Sequence, residues 1–161
     1  MIIVVMGVSG CGKTTIGQQL AERLGWPFFD GDVFHPPANI DKMSRGIPLN
    51  DEDRSGWLAA IADRMRELNA ANQSGVFACS ALKQKYRDQL RVNDQVHFVY
   101  LRGSYDLIWS RMQQRPGHYM KPAMLASQFE ALEEPHEALT LDIVQPPAQI
   151  IERIIQTLIK R

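Results

Sequence analysis

Near the start of the chain, Gly7-Val8-Ser9-Gly10-Cys11-Gly12-Lys13-Thr14 fits the spacing G-x-x-x-x-G-K-[ST] in full. Glycines at these intervals let successive backbone N–H groups turn inward on phosphate oxygens. A helix starting near Lys13 adds the positive end of its dipole at the same place. Lys13 is then placed to reach the β- and γ-phosphates of a nucleoside triphosphate and the Thr14 hydroxyl to hold Mg²⁺, with Thr15 completing the phosphate-binding stretch. A glycine-rich turn that binds nothing is the alternative. The apolar run Ile2 to Met6 before it and the apolar-periodic residues after it supply the strand and helix that the phosphate-binding reading requires.

A second group of residues suits the acceptor side of a transfer reaction. Asp30 and Asp32 are two apart at the end of an apolar segment. One carboxylate there can take a hydroxyl proton while the other orients water on a metal, or the pair can form an Asx-type turn. Asp32 is the better candidate because it lies further beyond the segment. Arg111 and Arg115 are spaced i, i+4, a like-charge pair that an anion between them would relieve. Two solvated arginines are the plainer reading. Arg54, Lys83 and Arg87 are scattered cations near predicted strand ends or helix starts. His35 and His118 stand in loop-like stretches, spaced unlike any zinc signature but able to hydrogen-bond a polyhydroxy compound.

The elements that must position these residues alternate. Strands are predicted at Ile2–Met6, Trp26–Phe29, Val76–Cys79, Val96–Leu101 and Leu139–Val144, with helices between them. The helix after the glycine-rich turn carries Ile16, Leu20 and Leu24 and stops at Gly25. The next begins at Asp51 with Trp57, Leu58, Ile61, Met65 and Leu68 on one face. Ser80 to Lys83 opens another, and His35 to Asn50 is read as a polar, proline-containing connection. Such alternation predicts one α/β domain over residues 1–161, an open, mostly parallel sheet with helices on both faces. Ligands then gather at the carboxyl ends of the strands, where the glycine-rich loop, Asp30, Asp32, Ser80 and Lys83 all fall.

Among 161 residues there are 18 Lys and Arg against 18 Asp and Glu, which argues against a nucleic-acid or anionic-membrane partner. The 2 cysteines, Cys11 and Cys79, allow neither a disulfide framework nor a metal cluster. Without a basic leader or an apolar run of spanning length, a cytoplasmic location is expected.

Five stretches together resemble the gluconokinase family of small P-loop kinases: GVSGCGKTTIG, DGDVFHPPANIDKMSRGIPLNDEDRSGWL, CSALKQKYRDQLR, FVYLRG and RMQQRPGHYMKPAMLASQFEALEEP. The block from Asp30 to Leu58 is the most specific of them. The segment from Pro135 to Leu141 departs from the family's pattern. The resemblance implies a three-layer P-loop kinase fold, a five-stranded parallel sheet in order 2-3-1-4-5, a mobile lid at roughly residues 115–135, and a homodimer. It implies transfer of a phosphoryl group from MgATP to the 6-hydroxyl of D-gluconate. Lys13 and Thr14 would take the phosphate and Mg²⁺ roles, Asp32 would engage the reacting hydroxyl, and Arg54 would bind a carboxylate. Lys83 and Arg87 would be further substrate contacts, Arg111, Arg115 and His118 lid residues, and Asp142 to Gln145 neighbours of adenine. Another small kinase, for shikimate or a different aldonate, is the alternative. A guanine-specific Asn-Lys-x-Asp motif, which a nucleotide switch would favour, is absent from the chain.

Overall fold

A computed structural model describes residues 1–114 and 122–160. Strand β1 (Ile2–Met6) is buried on both faces, as its unbroken apolar run requires. It sits at the centre of a parallel sheet with β2 (Phe28–Asp30), β3 (Gly75–Ala78), β4 (Val96–Arg102) and β5 (Leu139–Asp142), in the order β2-β3-β1-β4-β5. Successive β1 side chains point to opposite faces, so the strand feeds two cores. Ile3 and Val5 pack with α1 (Lys13–Leu24), α5 (Tyr105–Gln113) and α7 (Pro147–Ile154) through Ile16, Leu20, Ile108, Ile150, Ile151 and Ile154. Ile2, Val4 and Met6 pack with α3 (Asp51–Ala70) and α4 (Gln84–Leu90) through Trp57, Leu58, Ile61, Met65, Tyr86 and Leu90. This is the three-layer arrangement expected.

Caps explain several boundaries. Helix α1 ends at Gly25, whose left-handed φ of 69° donates its N–H back to the last turn. Helix α3 starts with a capping box: Asn50 accepts from the Asp53 N–H while Asp53 accepts from the Asn50 N–H.

Three elements differ from expectation. The second strand is Phe28–Asp30 rather than Trp26–Phe29, because Trp26 donates its N–H to Ala21 in the turn closing α1. Helix α4 starts at Gln84, not Ser80; Ala81 adopts a left-handed φ of 46° and breaks the turn between. The connection from His35 to Asn50 contains a helix, α2 (Pro37–Ser44), preceded by a 3₁₀ turn over Gly31–Phe34. Asn39 is the buried residue of α2. A helix held by a polar side chain leaves no apolar stripe to read. The expected lid, 115–135, contains helix α6 (Pro122–Ala131); its residues 115–121 lie outside the described residues.

Candidate active site

The glycine-rich loop links the carboxyl end of β1 to α1. Gly12, at the helix start, takes a φ of 98°, a left-handed conformation that an L side chain rarely adopts. Beyond it lies a cavity of about 490 Å³, walled by Ser9, Gly10, Gly12, Lys13, Thr14 and Thr15 on the loop side. Asp30, Asp32, His35, Arg54 and Trp57 form the opposite wall, and Ser80 stands at the end of β3. The structure therefore brings the phosphate-type loop and the acidic pair into one space at the carboxyl edge of the sheet, the place an open α/β sheet offers a ligand.

Each wall is held by identifiable contacts. Lys13 Nζ donates to the Val8 carbonyl at 3.1 Å, keeping the ammonium folded across its own loop. The Gly7 N–H donates to the Ser80 carbonyl at 3.3 Å, tying the loop to β3. From α6, Gln128 grips Ser9 twice: its Oε1 accepts the Ser9 N–H at 2.6 Å and its Nε2 donates to Ser9 Oγ at 2.8 Å.

On the other wall, Asp30 accepts the Asp32 N–H at 2.9 Å, so Asp30 makes the Asx turn. The Asp32 carboxylate accepts no hydrogen bond among the described residues and remains available to a ligand. Gly31, between them, lies so close to β3 that an added Cβ would meet the Ala78 carbonyl at 2.5 Å. Trp57 Nε1 donates to the Gly31 carbonyl at 2.7 Å, and the Trp57 ring stacks on His35 at 4.3 Å. Burial holds the His35 imidazole below its ordinary pKa; Asp32 opposes that shift and Arg54 adds to it. Arg54 donates to the Tyr86 hydroxyl at 3.2 Å, and Tyr86 donates in turn to Asp51.

A second cavity, of about 290 Å³, opens on the far side of the loop between Cys11, Gly12, Thr15, Ile16, Arg111 and the segment Ile143 to Pro147. Arg111 donates to the Ile143 carbonyl at 2.8 Å. Arg111 thus lines this second recess and not the cavity that Lys13 lines.

Two of the expected site residues stand away from both cavities. Arg87 is 2% exposed and off both cavity walls. It donates to the backbone carbonyls of Ala81 at 2.7 Å and Glu133 at 2.8 Å, bracing the strained Ala81 turn and the chain leaving α6. Lys83 is likewise off both walls, because it pairs with Asp51 at 3.1 Å, a carboxylate that Lys85 and Tyr86 also engage. Those bonds, Lys85 first, hold the Asp51 carboxyl far below the usual range. Arg115 and His118 lie outside the described residues. Burial raises the pKa of the Cys11 thiol against the pull of Lys13 and pushes the Cys79 thiol up to about 12. The sequence reading passed over Asn39, Tyr86 and Gln128. Asn39 and Tyr86 work by orienting neighbours, which no spacing rule marks.

Comparison with known proteins agrees with this architecture. The shikimate kinase family model matches residues 9–158. The thermosensitive gluconokinase of Escherichia coli K12 is 47% identical over 161 residues, covering 97% of this chain and 86% of that protein. The chain belongs to the gluconokinase family. The thermoresistant gluconokinase of the same organism is 43% identical, over 99% of this chain and 94% of its own length. A crystal structure of a gluconokinase from Sinorhizobium meliloti 1021 superposes with a TM-score of 0.89 at 45% identity, covering 98% of this chain and 91% of that one. These likenesses run over nearly the whole chain, well beyond the glycine-rich loop.

Proposed function

We propose that this chain is a gluconokinase, transferring the γ-phosphoryl group of ATP to the 6-hydroxyl of D-gluconate. The observation that carries the reading is the shared cavity: Lys13 and Thr14 face Asp32, His35 and Arg54 across one space of about 490 Å³. A cavity of that size suits a small acceptor beside a triphosphate tail.

The loop fits a triphosphate on its own geometry. Gly12 leaves open space where a side chain would stand, and Lys13 and the exposed Thr14 both line the cavity. The ATP phosphates would rest on the loop amides, with Lys13 exchanging the Val8 carbonyl for a phosphate oxygen. Thr14 would hold Mg²⁺, whose charge offsets that of the phosphates. The base would enter the second cavity, between Arg111 and the segment Ile143 to Pro147.

On the acceptor wall, Arg54 is a cation already aimed by Tyr86 and suits the gluconate carboxylate. His35 contributes a hydrogen bond to the polyol. Asp32 accepts the proton of the attacking hydroxyl, a role open to it because its carboxylate is not spent on a turn. The lid residues Arg115 and His118 would join the phosphoryl group and the acceptor respectively.

The experiment is an acceptor panel with purified protein and MgATP. D-gluconate should drive ADP release and yield a product heavier by one phosphoryl group. Release with shikimate or another aldonate, and none with gluconate, would move the assignment to that acceptor.

A further inference from the structure

Asn39 is 2% exposed and does not line the cavity, and its side-chain NH₂ is fully committed. Its Nδ2 lies 2.9 Å from the Asp53 carbonyl oxygen and 3.2 Å from His35 Nδ1. A backbone carbonyl only accepts, so the amide must present its NH₂ and not its oxygen to Asp53. The same NH₂ then donates its second hydrogen to His35 Nδ1, which must be unprotonated to receive it. On a neutral ring the proton is left on Nε2.

Nε2 has no hydrogen-bond partner among the described residues, while His35 lines the cavity. The ring plane is fixed by stacking on Trp57, which is itself anchored to Gly31, the residue between the two aspartates. We propose that Asn39 is a positioning residue that holds His35 as the neutral Nε2–H imidazole, giving the acceptor wall one directed N–H donor for a substrate oxygen. This rests on the assignment of His35 to the acceptor side made above.

The charged groups around the ring are few. Asp32 favours the imidazolium and Arg54 disfavours it, with Asp30 and Lys13 further along the same cavity. Protonating Nδ1 would set an N–H against the Asn39 NH₂. Burial already disfavours the charged ring, so the hydrogen bond and the environment select the same state.

Long-range ¹⁵N–¹H correlation of the imidazoles tests this on the unmodified protein without ATP or acceptor. The His35 signals are assigned by their loss in His35→Gln. An unprotonated Nδ1 and a protonated Nε2 at pH 7.5 are expected; the opposite tautomer, or an imidazolium, overturns the proposal. Asn39→Asp places a carboxylate against Nδ1 and should draw a proton there. The Nε2–H tautomer should be lost and KM for gluconate should rise about tenfold, with KM for MgATP unchanged. An unchanged tautomer in that variant overturns the proposal too. If Asn39→Asp does not fold, His35→Gln against His35→Phe decides the donor's use: Gln, which keeps an N–H, should retain more gluconate affinity than Phe, and equal losses count against it. Absence of any turnover on gluconate in the unmodified protein would remove the functional assignment, yet leave the tautomer measurement standing.

Discussion

The two walls of the cavity are built in opposite ways. The loop wall is made of consecutive residues, Gly7 to Thr15, and presents mostly backbone groups whose positions follow from one strand, one turn and one helix. The acceptor wall draws Asp32, His35, Arg54 and Trp57 from a 3₁₀ turn, a loop and α3; Tyr86 aims Arg54, the Gly31 carbonyl holds Trp57, and Asn39 and the Trp57 ring hold His35. A backbone cradle suits any nucleoside triphosphate, whereas a wall of mutually oriented side chains can be specific for one acceptor. Substitutions should therefore separate: those on the acceptor wall should alter acceptor kinetics while nucleotide binding persists.

The largest separation is expected for Asp32→Asn. Removing a general base lowers turnover by about 10²–10⁴-fold, while MgATP affinity, read by fluorescence titration or calorimetry, should stay near that of the unmodified protein. Turnover within a few-fold of normal would take Asp32 out of the proton transfer. Arg54→Ala should come next, raising KM for gluconate about 10–100-fold, as loss of a charge-assisted pair does, with a smaller change in kcat. A fall in MgATP affinity of the same size would mean that Arg54 serves the other wall.

The same contrast explains what could be read from sequence. The loop was legible because its chemistry lies in a contiguous pattern, and the sheet because buried parallel strands are continuous apolar runs. Asp32 and Arg54 were legible as residue types next to strand and helix ends. Helix α2 was not, since it docks through Asn39 and through Lys42, which pairs with Asp53 at 2.8 Å, instead of through an apolar face. Arg87 and Lys83 stand off the cavities for a related reason. A cation near a strand end reads the same whether it faces a ligand or a backbone carbonyl, and here Ala81 and Glu133 claim one while Asp51 claims the other.

Arg87→Ala turns that placement into a measurement on stability. Deleting the guanidinium leaves the Ala81 and Glu133 carbonyls without these donors, a loss of about 1–3 kcal/mol for buried groups. The thermal midpoint should fall, and KM for gluconate measured well below that midpoint should hold. A raised KM with an unchanged midpoint would return Arg87 to the substrate contacts.

The smallest effect probes the hydrogen bonds from α6 to the loop wall. Gln128 holds the N–H of Ser9, which lines the cavity, so under the proposed function Gln128 and a phosphate oxygen would compete for one donor. Gln128→Ala removes the competitor together with two hydrogen bonds that hold α6 in place. The first loss favours nucleotide binding and the second loosens the helix, each by about 1 kcal/mol. Because only the first acts on the free loop, MgATP should bind up to a few-fold more tightly by calorimetry, while KM for gluconate stays unchanged. Weaker MgATP binding would show instead that Gln128 keeps its grip when the nucleotide arrives, making the loop wall dependent on a side chain in the way the acceptor wall already is.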